Sequence, residues 1–315
     1  MLAAIDLGTN NCRLLIASPG HDGAMRIVDS FSRIVRLGEG VARTHMLGEA
    51  AMDRTVAALK ICAGRIDHFK VRHVRAVATE ACRQAANAQV LIDRVAKEAG
   101  LALSIVTAAE EARLAAIGCA PLIGEEHEGA LVFDIGGGST ETIWMRRFGD
   151  KPLAVHFSSV PLGVMLLAET NGERDDKARY AAMRQDMRER FTALRREMDK
   201  KGTFDVAKNH LLGTSGTVTT LAGVALGLPR YVRARVDASW HECDDILKVG
   251  EWLVSLERRA RAQRGCIGEE RAELIVPGCA IFAAIHDVWP CTRLRVADRG
   301  LREGILRELM AEARR

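Results

Sequence analysis

One short pattern, an aspartate followed closely by glycine at the end of an apolar segment, occurs twice in the chain. The first copy reads Ala-Ile-Asp-Leu-Gly-Thr-Asn at residues 4–10, and the second reads Val-Phe-Asp-Ile-Gly-Gly-Gly-Ser-Thr at residues 132–140. A second apolar segment follows each copy, which is typical of a β-hairpin. Glycine lets the backbone approach a ligand closely and turn its N–H groups outward. Two such tips facing each other predict a clamp of backbone donors for phosphate oxygens.

Either copy alone would be equally consistent with an ordinary tight turn. The repeat of the same strand-turn-strand context, with three glycines in the second copy, favours anion binding instead. A third turn of small residues, Gly-Thr-Ser-Gly-Thr at residues 213–217, follows an apolar strand and opens a helix. The N–H groups at the start of that helix form another predicted anion site.

The bulk composition restricts the class of protein and its location. The chain has 315 residues, 48% hydrophobic and 27% charged, which predicts an ordinary globular protein with two domains. No apolar run is long enough to cross a bilayer, and the amino terminus lacks the features of a signal peptide. The eight cysteines are scattered without metal-ligand spacing, which favours small buried side chains in a reducing compartment. We therefore expect a cytoplasmic protein with no membrane segment.

The charge and aromatic content bear on possible partners. A net charge of +4 is mild, and basic clusters at residues 65–75, 230–235 and 258–264 are typical of solvated faces, although they would also suit a polyanionic substrate. An aromatic content of 4% argues against a protein that binds single-stranded nucleic acid by base stacking. No nucleic acid partner is expected.

Strand and helix patterns alternate along the chain and predict an α/β protein. The first domain is predicted to span residues 1–125 and the second residues 126–315, joined by a polar connector at 124–129, and whether the last helix packs back on the first domain is left open. The charged segment 173–200 carries an apolar stripe at helical spacing, which predicts a long helix with one buried face. Its members are Tyr180, Met183, Met187, Phe191, Leu194 and Met198.

These motifs together resemble a known family. The paired hairpins resemble the phosphate loops of the actin, sugar-kinase and heat-shock-chaperone ATPase superfamily. Six segments of this chain resemble the exopolyphosphatase and guanosine pentaphosphate phosphohydrolase (Ppx/GppA) family: DLGTN at 6–10, ATEACR at 78–83, EEAR at 110–113, DIGGGSTE at 134–141, GTSGT at 213–217 and LREG at 301–304. Asn11 and Cys12 depart from the pattern that many relatives carry. Because longer relatives continue into further helical domains, the chain resembles a short, two-domain form.

The resemblance implies a two-domain actin-like ATPase (ribonuclease H-like) fold with the active site in the cleft between the domains. It implies Glu111 as the catalytic glutamate that accepts a proton from the attacking water. Glu110 and Glu111 cannot share a helix face, so only one of them is expected in the site. Asp134 and Glu141 are the expected ligands of Mg²⁺ or another divalent ion. The expected phosphate ligands are Asn10, Arg83, Gly136, Gly138, Ser139, Gly213 and Ser215.

The expected reaction is hydrolysis of a terminal phosphoanhydride bond of inorganic polyphosphate, which releases orthophosphate. Hydrolysis of guanosine pentaphosphate to tetraphosphate remains the alternative, since it would use the same groups. A small-molecule kinase of the same superfamily is less favoured because Glu111 suits the activation of water. A sensor without activity is disfavoured by the intact carboxylates. The resemblance also suggests a homodimer, while a potassium requirement stays open.

Overall fold

The computed structural model describes residues 1–20, 25–148, 151–170 and 176–313. The chain forms two compact units, one made of residues 1–118 together with 300–315 and the other of residues 119–299. The carboxyl-terminal helix therefore packs with the amino-terminal residues. No helix in the described ranges combines the length and the apolar character needed to cross a membrane.

The first unit is an α/β unit. Its strands are β1 (Leu2–Leu7), β2 (Asn11–Pro19), β3 (Met25–Ile34), β4 (His73–Ala78) and β5 (Leu103–Ile105). Its helices are α1 (Val41–Thr44), α2 (Glu49–His68), α3 (Glu80–Gln84), α4 (Ala88–Ala99), α5 (Ala108–Cys119) and the last helix of the chain, α13 (Leu301–Glu312).

The sheet of the first unit has the order β3-β2-β1-β4-β5. Strands β1, β2 and β3 are antiparallel, and β1, β4 and β5 are parallel. Side chains alternate along β1, so Ala3 and Ile5 enter the core with α2 and α4, while Leu2 and Ala4 enter a second core with α13. The carboxyl ends of the three parallel strands share one edge, where α/β sheets usually bind ligands.

The second unit is built from the middle of the chain. Its strands are β6 (Gly129–Ile135), β7 (Thr140–Phe148), β8 (Lys151–Val160), β9 (Asn209–Thr214), β10 (Trp240–Glu242) and β11 (Arg293–Ala297). Its helices are α6 (Val164–Thr170), α7 (Asp176–Asp199), α8 (Ser215–Ala225), α9 (Arg233–Val236), α10 (Cys243–Ser255), α11 (Arg258–Ala262) and α12 (Ile275–Val288).

The second sheet repeats the topology of the first. Its order is β10-β11-β9-β6-β7-β8, with β6, β7 and β8 antiparallel and β6, β9 and β11 parallel. Without the added edge strand β10, each sheet places its strands in the order third, second, first, fourth, fifth. The repeated sequence pattern therefore marks the first hairpin of two similar α/β units.

Several sequence predictions concern these elements. The two hairpins are confirmed by their strand registers. The long helix is confirmed over Asp176–Asp199, with Met183, Met187, Phe191 and Met198 buried, while residues 173–175 lie outside the described ranges. All eight cysteines are buried, as predicted.

Candidate functional site

The tip of the first hairpin comprises residues 8–11. The N–H of Gly8 donates to the carbonyl of Asn11 at 2.9 Å and closes the turn. The carbonyl of Thr9 accepts a bond from Gly38, and the carbonyl of Asn10 accepts bonds from the backbone N–H groups of residues 35 and 36. The segment that starts at the end of β3 therefore donates hydrogen bonds to the carbonyl oxygens of Thr9 and Asn10 in this tip.

The tip of the second hairpin comprises residues 136–139 and has the same closing bond. The N–H of Gly136 donates to the carbonyl of Ser139 at 3.0 Å. The carbonyl of Gly136 accepts from Val164 at 3.0 Å and that of Gly137 accepts from Met165 at 2.9 Å, both at the start of α6. The two tips thus share their backbone hydrogen bonding although their sequences differ.

This pattern fixes the direction of the N–H groups at both tips. The C=O and N–H of a planar trans peptide point in opposite directions, and the described residues contain no cis peptide bond. Because the carbonyl oxygens of each tip point at its packing segment, the N–H groups of Asn10, Asn11, Gly137 and Gly138 point away from it. Consecutive N–H groups with this orientation form a concave anion site.

Asn10 carries a second feature at the first tip. Its Oδ1 atom is buried and has no hydrogen-bond partner among the described residues. A buried polar atom without a partner is unusual and calls for an explanation. Rotation of the amide by 180° would place Nδ2 there as a donor, which suits a phosphate oxygen. This observation is consistent with the predicted phosphate contact of Asn10.

Arg83 lies on the short helix α3, which follows the carboxyl end of β4. Its Nε and Nη2 donate to one oxygen of Glu80 at 2.9 and 2.5 Å. Its Nη1 donates to Glu111 at 2.7 Å and to the carbonyl of Val106 at 3.0 Å. Although burial alone lowers the pKa of Arg83, the carboxylates of Glu111 and Glu80 raise it above its ordinary value. Arg83 is thus a positively charged side chain that contacts two carboxylates.

Glu110 and Glu111 start α5 and diverge as predicted. Thr107 accepts the N–H of Glu110 through its hydroxyl at 3.1 Å, which satisfies a donor at the helix start. Glu110 is bound by Arg113 and Arg75. The hydrogen bond from Arg113 is the largest of the causes that set the pKa of Glu110, which is lowered to about 2. Glu111 instead contacts Arg83 and keeps 18% of its side chain exposed. The two carboxylates therefore have different partners: Glu110 pairs with Arg113 and Arg75, and Glu111 pairs with Arg83, the predicted phosphate ligand.

Asp134 and Glu141 are direct cross-strand neighbours of β6 and β7. Thr214 lies beside Asp134 on β9, and Ser159 lies beside Glu141 on β8, so the four side chains form a row on one face of the sheet. The Ser159 hydroxyl donates to Oε1 of Glu141 at 2.9 Å, and Glu141 is only 4% exposed. The hairpin register thus brings both predicted metal ligands together.

The donor set of this row fits Mg²⁺ better than a transition metal. Mg²⁺ is usually held by one or two carboxylates, with waters and phosphate oxygens completing its shell. No group of three or more His, Cys, Asp or Glu side chains in the described ranges could hold a metal by itself. A pair of carboxylates beside an anion-binding tip is therefore the kind of site that a metal shared with a phosphate substrate would use.

The third predicted turn places Gly213 and Ser215 differently. Gly213 is buried, and a Cβ there would lie 2.6 Å from the Phe133 ring and 2.7 Å from Val218, so packing alone requires glycine. Ser215 begins α8 with φ +77°, a left-handed conformation that is costly for a non-glycine residue. Such backbone strain often accompanies a functional site. The phosphate contacts of Gly213 and Ser215 stay predictions, and the strained backbone is an additional feature of Ser215 alone.

Sequence reasoning missed several charged residues around the first hairpin and α3. Glu80 binds Arg83, and its position three residues earlier on a helix was the available signal. Asp6 lies opposite Arg13 in the hairpin register. Burial raises the pKa of Asp6, while Arg13 and Arg302 oppose this shift. Arg302 belongs to the LREG segment, which had no assigned role.

The chain is similar to proteins of known family. The chain matches the model of the Ppx/GppA phosphatase family over residues 16–313. It is 32% identical over 290 residues to exopolyphosphatase 2 of Mycobacterium tuberculosis, an alignment that covers 89% of this chain and 88% of the relative. It is 28% identical over 319 residues to the guanosine-5'-triphosphate,3'-diphosphate pyrophosphatase of Vibrio vulnificus, covering 100% of this chain and 60% of the relative.

A solved structure extends the similarity to the fold. The crystal structure of the Aquifex aeolicus Ppx/GppA family member matches with a TM-score of 0.81 and 28% identity, covering 100% of this chain and 98% of that chain. The predicted α/β fold of two actin-like units is thereby confirmed. With the family model matched over nearly its whole length, the chain belongs to the Ppx/GppA phosphatase family.

Proposed function

We propose that the protein is an exopolyphosphatase, a phosphoanhydride hydrolase that releases orthophosphate from the end of inorganic polyphosphate. The observation that carries the proposal is the contact between Glu111 and Arg83, with 2.7 Å between a carboxylate oxygen and a guanidinium nitrogen. A group suited to accept a proton thus lies beside a group suited to bind phosphate. The relative from Mycobacterium tuberculosis, similar over most of both chains, is named an exopolyphosphatase.

The proposed roles follow from the chemistry of phosphoryl transfer, in which positioning and charge neutralisation do most of the work. Water attacks the terminal phosphorus, and Glu111 accepts its proton. Arg83 and the outward N–H groups of the first tip neutralise phosphate oxygens. The bond to the bridging oxygen breaks, and the shortened chain leaves with a negative charge on that oxygen.

Asp134 and Glu141 are proposed to hold Mg²⁺ or another divalent ion. The bound ion would supply charge stabilisation at the phosphate oxygens during the reaction. Ser139 and Gly138 lie on the tip between the two strands that carry these carboxylates, and we propose them as phosphate ligands next to the ion. Ser215 and Gly213 are proposed to contribute to the same phosphate site from the start of α8.

The proposal includes a cytoplasmic location and a homodimer. The eight cysteines lie in the described ranges as buried thiols rather than as disulfides, which supports a reducing compartment. The dimer is implied by the family resemblance. Cell fractionation with a tagged chain tests the first, and sedimentation equilibrium of the purified protein tests the second. A monomer over the micromolar range would contradict the dimer without affecting the proposed reaction.

The decisive experiment measures orthophosphate release from polyphosphate, guanosine pentaphosphate and ATP side by side in the presence of Mg²⁺. We expect polyphosphate to be the best substrate. A higher kcat/KM for guanosine pentaphosphate would assign the pyrophosphatase activity instead, for which the Vibrio vulnificus relative is named. Phosphate transfer to a sugar or to acetate would indicate a kinase.

The variant Glu111→Gln tests the assigned base. It should keep the fold and lower kcat by roughly 10²- to 10⁴-fold, which is the usual contribution of a positioned general base. The matched control is Glu110→Gln, which alters the adjacent carboxylate that is bound by Arg113 rather than Arg83. A Glu111→Gln protein that keeps most of its activity would exclude Glu111 as the base.

A further inference from the structure

Acceptors within the first unit bind most of the hydrogen-bond donors of Arg83. Its guanidinium has five N–H donors. The two bonds to Glu80, the bond to Glu111 and the bond to the carbonyl of Val106 use four of them. A phosphate that binds an arginine in the usual two-pronged way needs two N–H groups. Such a phosphate must therefore displace one of the three acceptors.

The three acceptors are not equally easy to displace. Glu80 accepts two of the bonds and lies on the same helix as Arg83, where Gln84 fixes its other oxygen at 2.7 Å. The carbonyl of Val106 belongs to the backbone, and its residue is tied to β4 through a bond from its N–H to Ala78. One hydrogen bond joins Arg83 to Glu111, which lies on another helix, α5. The contact with Glu111 is consequently the one that a phosphate replaces most readily.

We propose that substrate phosphate displaces Glu111 from Arg83 and thereby releases the general base from this ion pair, while Glu80 acts as a positioning residue that holds the guanidinium during the exchange. This inference rests on the proposed role of Glu111. A carboxylate bound to a guanidinium accepts a proton less readily than the same carboxylate without that bond. Binding of the phosphate thus activates the carboxylate that its hydrolysis requires.

The side chains are arranged for such an exchange. Arg83, Glu80 and Glu111 are 17%, 14% and 18% exposed, so the ion pairs are largely shielded while an edge of each remains accessible. In the substrate-free protein two carboxylates surround one guanidinium, so the group carries a net negative charge of one. An arriving phosphate must therefore compete with a carboxylate for Arg83.

The test compares binding of imidodiphosphate to the wild type and to Glu111→Gln by calorimetry. This probe resists hydrolysis because nitrogen replaces its bridging oxygen. We expect the variant to bind the probe on the order of tenfold more tightly, since phosphate no longer has to break a charge-assisted hydrogen bond. Unchanged or weaker binding would overturn the displacement.

Glu80→Gln is the matched control, because it removes the same charge from the same guanidinium. We expect it to weaken binding of imidodiphosphate by roughly 3- to 10-fold, since Arg83 loses the group that orients it. Equal tightening in both variants would show a general electrostatic effect and would overturn the proposal. Should Glu80→Gln fail to fold in a thermal unfolding scan, Glu110→Gln takes its place as the charge control, because Glu110 pairs with Arg113 and Arg75. Equal tightening in Glu110→Gln and Glu111→Gln would likewise overturn the proposal.

Activity assays separate this inference from the function on which it rests. A Glu111→Gln protein that is inactive but binds the probe no more tightly contradicts the displacement alone. A Glu111→Gln protein that stays active contradicts the base assignment itself. Glu98→Gln, which alters an ion pair with Lys60 and Arg94, serves as the reference for both measurements. We expect it to match the wild type in binding and in kcat.

Discussion

In the first hairpin the strand aspartate, Asp6, lies opposite Arg13, whereas in the second hairpin the corresponding Asp134 lies opposite Glu141. Both tips are closed by the same backbone bond. Both tips therefore turn N–H groups outward. The residue opposite the strand aspartate, however, is a cation in the first hairpin and a carboxylate in the second. An aspartate beside a cation is already neutralised, and one beside a second carboxylate attracts a cation from outside.

The comparison teaches that a fold repeat does not imply a repeat of chemistry. In the first unit the carboxylate next to the tip is Asp6, and the charges of Arg13 and Arg302 favour its ionised form. In the second unit the residue opposite Asp134 is a second carboxylate, Glu141. We thus expect metal dependence to originate in the second hairpin and proton transfer in the first unit.

Among the variants that distinguish the two hairpins, Asp134→Asn should have the largest effect. It replaces a carboxylate with a neutral amide and should raise the Mg²⁺ concentration for half-maximal activity about 100-fold. Asp6→Asn is the matched variant and should shift this concentration much less. A Mg²⁺ titration of phosphate release checks both. Equal shifts in the two variants would abolish the distinction between the hairpins.

Gly136→Ala and Gly8→Ala compare the two tips themselves. A Cβ at Gly136 would lie 2.9 Å from the carbonyl oxygen of Ser139, but a Cβ at Gly8 would lie 3.6 Å from that of Asn11. We expect Gly136→Ala to lower the free energy of unfolding by about 1–2 kcal/mol and Gly8→Ala to change it by less than about 0.5 kcal/mol. Urea unfolding measures both. A larger loss of unfolding free energy in Gly8→Ala than in Gly136→Ala would show that the two turns differ although the same backbone bond closes both.

Arg13→Gln tests whether Asp6 depends on its neighbour. The pKa of Asp6 is raised by burial, and Arg13 opposes this by favouring the charged form. Loss of Arg13 should lower the free energy of unfolding by about 1 kcal/mol at neutral pH. This cost should shrink as the pH falls, because protonated Asp6 gains nothing from a nearby cation. A cost that stays constant with pH would mean that Arg13 acts through packing.

Glu141→Gln should produce the smallest effect, with a sign opposite to that of Arg13→Gln. Without Mg²⁺, it removes a negative charge directly opposite Asp134 and should raise the free energy of unfolding by about 0.5 kcal/mol. With Mg²⁺ the wild type should gain stability from the bound ion and the variant should gain less. Thermal unfolding with and without Mg²⁺ measures both quantities. Destabilisation in the absence of Mg²⁺ would show that the bond from Ser159 outweighs the repulsion.

Local sequence determined much of this protein. Asp-x-Gly between two apolar segments specifies a hairpin with a tight tip, and both hairpins formed as predicted because side-chain alternation and glycine act within a few residues. The spacing of Met183, Met187 and Phe191 likewise specified a helix with one buried face. The divergence of Glu110 and Glu111 followed from helical geometry alone.

Tertiary structure decided which charges meet. The contact between Arg83 and Glu111 joins residues 28 positions apart through the adjacent ends of parallel strands, which no local pattern encodes. The return of α13 to the first unit brought Arg302 towards Asp6, although 296 positions separate the two residues. Residue types and their order therefore determined the elements and the candidate groups. The electrostatic state of those groups depends on long-range packing, because charge interactions follow distance in space rather than separation in sequence.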